Sequence, residues 1–123
     1  MSVNQQDNAY PQPAGANAVP SAARTATGNS GALRVFADRL AIFLDVTAVS
    51  GTTPSYTFTV EWSHDSTSWF PAATPDTLGA AVTTPVKRVH TVDVKGPFCR
   101  VVWTVTGTTP SATFAIHLVG QDF

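Results

Sequence analysis

Tyr56-Thr57-Phe58-Thr59-Val60-Glu61-Trp62 alternates without a slip, with Tyr, Phe, Val and Trp on one side of an extended chain and Thr, Thr and Glu on the other. A period of two is that of a β-strand, whose successive side chains point to opposite faces. One dry and one wet face is the pattern of an antiparallel sheet packed on a core from one side. Aromatic and β-branched residues also suit a pleated surface.

The same grammar continues in both directions. Upstream, Leu33 and Val35 lead into Leu40, Ile42, Leu44 and Val46, with Arg39, Asp45 and Thr47 in the opposite phase. Downstream, residues 86–95 read as a strand, then Cys99, Val101, Trp103 and Val105 point inward, and finally Ala112, Phe114, Ile116 and Leu118. Pro54, Pro71, Pro75, Pro85, Pro97 and Pro110 are expected at or near strand boundaries, where a missing N–H harms a ladder least. No window carries the 3.6-residue period of a long helix. About seven strands over about 90 residues predict an all-β fold, a β-sandwich or jelly-roll-like domain over residues 32–123.

Two segments match without gaps: residues 50–62, beginning Ser-Gly-Thr-Thr-Pro-Ser, and residues 106–118, beginning Thr-Gly-Thr-Thr-Pro-Ser, with Phe58 and Phe114 in equivalent places. An alternating strand enters and leaves each one. Both are therefore expected to be β-hairpins whose connection is Gly-Thr-Thr-Pro-Ser, the glycine taking a backbone angle that other residues avoid. They suit corresponding positions of a sandwich, with Phe58 and Phe114 packing from related strands. A third hairpin is expected at residues 61–70, where Asp65 offers an Asx-turn and Trp62 and Trp69 become cross-strand neighbours or near neighbours.

Residues 1–31 differ from everything after them. They are rich in Ala, Asn, Gln, Pro and Gly, and Asp7 and Arg24 are their only charged side chains. Without an apolar period this is an extended N-terminal arm, and with so little charge it is suited to lie along a neighbouring protein. Its start lacks the basic and apolar regions of a secretory signal.

Composition narrows the function. Only 12% of the 123 residues are charged, against roughly 25% in ordinary domains, and 18 Thr and 9 Ser fill much of the gap, so a hydroxyl-covered surface is expected. A net charge of -1 supplies no field for nucleic acid or an anionic membrane, and Lys87, Arg88, Lys95 and Arg100 are too few for a nucleic-acid track. No apolar run reaches a membrane span. One cysteine, Cys99, excludes an internal disulfide, fits folding in the cytosol, and in phase with Val101 is expected to be a buried thiol.

Catalytic and metal patterns are weak. His64, His90 and His117 fall on different strands or turns, without the spacing of converging ligands. No Gly-x-Ser-x-Gly elbow or phosphate-cradling glycine loop occurs, and Glu61 and Asp65 are expected to stabilise a turn. No catalytic residue, metal or cofactor is therefore expected. Trp69, beside Phe70 and Pro71, is the tryptophan best placed for the surface.

The runs Leu44-Asp45-Val46-Thr47-Ala48-Val49-Ser50-Gly51-Thr52-Thr53-Pro54-Ser55, residues 60–70 and residues 100–114 resemble small structural proteins of tailed bacteriophages. The resemblance covers about residues 33–120 and leaves the arm unmatched. One departure is His64-Asp65-Ser66, where the family's turn often reads Asp-Gly. The resemblance implies a non-enzymatic virion component assembled in the host cytoplasm, in the first place a capsid decoration or cement protein. Its partners would be the major capsid protein or other virion subunits, including copies of itself, with no nucleic acid or membrane. Tyr10, Pro11, Pro13, Pro20 and Arg24 of the arm would make the contact, with Trp69 and Phe70 as a further surface contact. A head–tail joining or tail protein, or a host-glycan-binding module, are the alternatives.

Overall fold

The computed structural model describes residues 19–121, and for residues 72–76 and 121 the backbone alone. The described chain is all-β, with seven antiparallel strands and no helix: β1 (Val19–Arg24), β2 (Gly28–Asn29), β3 (Leu33–Arg34), β4 (Arg39–Ser63), β5 (Phe70–Thr77), β6 (Val86–Asp93) and β7 (Phe98–Gln121).

Two strands of 25 and 24 residues organise the rest. β4 and β7 pair from Arg39↔Gln121 to Ser63↔Phe98. The halves of this ribbon belong to two layers. β1 and β6 flank the half holding residues 39–46 and 114–121, while β2, β3 and β5 flank the half holding residues 55–63 and 98–106. The layers meet face to face through their rings. Phe114 of the first layer lies edge-on to Phe58 (5.0 Å), Trp103 (5.1 Å) and Tyr56 (6.2 Å) of the second. Leu40, Ile42, Leu44, Val46, Val60, Trp62, Val101, Ile116 and Leu118 complete one continuous core, in the phases that the alternation predicts.

The ribbon folds over at the two Gly-Thr-Thr-Pro-Ser segments. The expectation of two hairpins is corrected here: neither segment reverses the chain. Each lies within a long strand and pairs with the other copy across a local twofold, Thr52 opposite Thr108, with the register shifting on either side. Pro54 and Pro110 accordingly fall inside strands rather than at their ends. Positive φ at Gly51 (115°) and Gly107 (116°), with Thr53 (48°) and Thr109 (45°), kinks each strand. The local signals of a turn and of a kink are the same, and the pairing of the copies decides between them. A Cβ on Gly51 would stand 2.7 Å from the Thr109 carbonyl oxygen, and one on Gly107 2.7 Å from that of Thr53, so the crossing is close backbone to backbone.

Among the described residues, the one connection that stays within a layer as a hairpin is residues 64–69, between β4 and β5. Asp65 Oδ1 accepts from the Thr67 and Ser68 amides at 2.9 Å, forming the expected Asx-turn, and Ser66 takes φ 65°, the place where a glycine would sit without strain. Trp62 pairs with Phe70, not Trp69, so the two tryptophans are near neighbours on opposite faces.

Candidate functional site

Three surfaces collect the residues singled out above. The first is the edge formed by β1. Tyr10, Pro11 and Pro13 lie outside the described residues. Pro20 and Arg24 lie in β1, which is hydrogen-bonded to β7 of the same chain from Val19↔Ile116 to Arg24↔Ala112. Arg24 folds inward. Its guanidinium sits 4.7 Å from the Phe114 ring and 5.4 Å from that of Trp103, and donates to the carbonyls of Pro20 (2.8 Å), Phe114 (2.9 Å) and Ala22 (3.0 Å). Tyr56 donates its hydroxyl to the Arg24 carbonyl. Arg24 thus ties its strand to the core, and residues 19–31 dock on the domain that follows them.

The second surface is the tip of the β4–β5 hairpin. Phe70 is 54% exposed and borders a shallow groove of about 290 Å³ lined by Trp62, His64, Phe70, Pro71, Lys95 and Pro97. Lys95 stands over the Trp62 ring at 5.5 Å. Trp69 turns to the outer face of the second layer and stacks on Arg100 (4.6 Å), which donates to Glu61 through Nε at 2.8 Å. One face of Trp69 is therefore occupied by a guanidinium. Backbone N–H donors from Ser68 and Thr67 hold the Asp65 carboxyl down at about 2.

The third surface, the outer face of the first layer, was not singled out in the sequence. Its rows run across β6, β4 and β7: Asp93–Arg39–Gln121, Thr91–Ala41–Val119, Val89–Phe43–His117 and Lys87–Asp45–Ala115. Phe43, Val89 and Val119 are 42%, 56% and 43% exposed, while Ala41 is almost fully covered. An ion pair closes each end, Arg39–Asp93 at 3.2 Å and Lys87–Asp45 at 2.8 Å. The signal was present in the alternation. Phe43 sits in the wet phase between Ala41 and Asp45, where an apolar ring has no core to fill.

The histidines stay apart. His64 is in the hairpin turn, His90 on β6 and His117 on the outer face of β7, and among the described residues no three of His, Cys, Asp and Glu gather as metal ligands. Cys99 is buried beside the second layer's core, and burial pushes its thiol up to about 12. Among the described residues no helix is long and apolar enough to cross a membrane. No protein-family model, curated protein or solved structure matches the chain.

Proposed function

We propose that the protein is a structural subunit of a tailed-bacteriophage virion, in the first place a decoration or cement protein that binds and stabilises the head shell. The observation that carries this reading is the exposed apolar strip Phe43–Val89–Val119 on a sheet face rimmed by ion pairs. An apolar centre with a polar rim is how protein-contact surfaces are built. The resemblance of residues 33–120 to phage structural proteins supplies the setting. When copies are joined through such a surface, adhesion to a repeating shell needs little affinity per contact, because linked contacts form at high effective concentration.

The test is to purify particles and locate and count this chain by imaging. A decoration protein is present in hundreds of symmetry-related copies, whereas a joining or tail protein forms rings of about a dozen or fewer. The arm is tested by removing residues 2–18, not 2–30, because the longer deletion also removes β1 and β2 from the sheet. Loss of particle binding with an unchanged melting temperature supports an arm that grips the shell, and unchanged binding removes that role. The glycan-binding reading draws on exposed Phe70 beside the groove. A glycan array on the wild type and on Phe70→Ala and Trp69→Ala variants separates it from the virion reading.

A further inference from the structure

The outer face of the first layer carries a charge pattern that answers itself. At one end of the apolar strip Arg39 on β4 stands beside Asp93 on β6, and at the other Asp45 on β4 stands beside Lys87 on β6. Along β4 the signs run plus then minus, and along β6 minus then plus. A twofold axis lying in the plane of this face, running across the strands between the Ala41 and Phe43 rows, reverses each strand and keeps the strand order. Under that operation Arg39 faces the second copy's Asp45, and Asp93 faces its Lys87, so all four charges meet opposite ones.

The apolar residues obey the same operation. Phe43, 42% exposed, meets the second copy's Ala41, whose small side chain leaves a hollow between larger neighbours, while Val89 meets Thr91 and Val119 meets His117. Protruding side chains fall on recessed or polar ones. A surface that is complementary to its own rotated image is the requirement for an isologous dimer.

We propose that this face pairs with a second copy of the chain, sheet face to sheet face, across that twofold. Two other routes to a partner fit less well. The 18 residues before Val19 carry Asp7 as their only charged side chain and have nothing to answer four charges. Association through sheet edges is disfavoured, since β1 carries Pro20 and a register shift, β5 carries Pro71 and Pro75, β6 carries Lys87 and Arg88, and β2 and β3 are two residues each. With strands about 4.8 Å apart and four rows on each, the contact buries on the order of 1,000 Å² in total, the lower end for a specific interface. The dimer is accordingly weak in solution and weaker in high salt. It stands or falls independently of where in a particle the protein works.

Charge swapping tests it on the full chain. Arg39→Glu with Lys87→Glu makes all four rim positions acidic, and Asp45→Lys with Asp93→Lys makes all four basic. In sedimentation equilibrium the wild type self-associates, and each double variant alone loses at least tenfold in association constant while keeping its circular dichroism spectrum. A mixture of the two double variants forms a one-to-one heterodimer at least as tight as the wild-type dimer. Phe43→Ser weakens the wild-type dimer without disturbing the fold. The proposal is overturned by a wild type that stays monomeric at millimolar concentration, by folded double variants that associate as the wild type does, or by a mixture that does not pair. It is equally overturned if the chain dimerises only once residues 2–18 are removed, because its own arm then covers the face.

Discussion

Gly51 and Gly107 hold the positions on which the fold-over depends. Both have φ near +115°, and both face a carbonyl oxygen of the opposite copy that a Cβ would approach to 2.7 Å. Gly51→Ala or Gly107→Ala is expected to cost on the order of 3 kcal/mol, from the backbone angle and from the forced separation of two main chains. Thr53 and Thr109 also sit at positive φ, as β-branched residues that dislike it. Thr53→Gly is therefore expected to fall within about 1 kcal/mol of neutral, on the stabilising side, since strain relieved offsets the entropy glycine adds to the unfolded chain. Urea unfolding of the three variants separates these signs. Cys99 gives a chemical readout of the same core. Its thiol, raised to about 12 by burial, should resist a thiol reagent in the native protein and react in urea, and stability should fall as pH climbs from about 9, where only the unfolded thiol ionises. Asp65 has the opposite sign. Its folded carboxyl is held at about 2 by the Ser68 and Thr67 amides, against an ordinary 3.8, so its contribution is present above pH 4 and is lost as pH falls towards 2. Asp65→Asn should flatten that part of the acid limb in a pH series of thermal melts.

At the scale of elements, the alternation predicts the inward phase of β4 and β7 residue by residue, because a single-sided core leaves its period in the sequence. Tyr56, Phe58, Val60 and Trp62 are all buried, and so are Ala112, Phe114, Ile116 and Leu118. What the sequence does not disclose is that Gly-Thr-Thr-Pro-Ser joins strand to strand collinearly. A positive φ and a proline serve a reversal and a kink equally, and only the long-range pairing of Thr52 with Thr108 distinguishes them. The docking of β1 is hidden for a related reason. Pro20 and the alanines around it carry no strand signal, and the strand is held by Arg24, whose guanidinium reaches three carbonyls and two rings. Arg24→Ala should cost about 1.5–3 kcal/mol, as charge-assisted hydrogen bonds do. Amide exchange should then quicken across residues 19–24 before it does in β4. On the other layer, Trp69→Ala uncovers the Glu61–Arg100 pair and should cost about 1–2 kcal/mol, read from a thermal melt.

At the scale of the whole molecule, the described residues form one ribbon doubled over on its own core, with one sheet face partly apolar. Of the candidate surfaces, the sequence discloses Trp69 and Phe70 because tandem aromatics stand out beside a turn. The Phe43 face is harder to see, since its three exposed apolar residues lie on three different strands and only the register brings them together. Its charge pattern is subtler still, because Arg39, Asp45, Lys87 and Asp93 become a checkerboard only once β6 is set against β4. Pairing of copies through that face and adhesion through the segment before β1 are the proposed working principle, and imaging of intact particles with this chain located in them tests it most directly. The account predicts many symmetry-related copies on the head, with Phe43 faces meeting across local twofold axes; purified particles that contain no copy of the chain would contradict it.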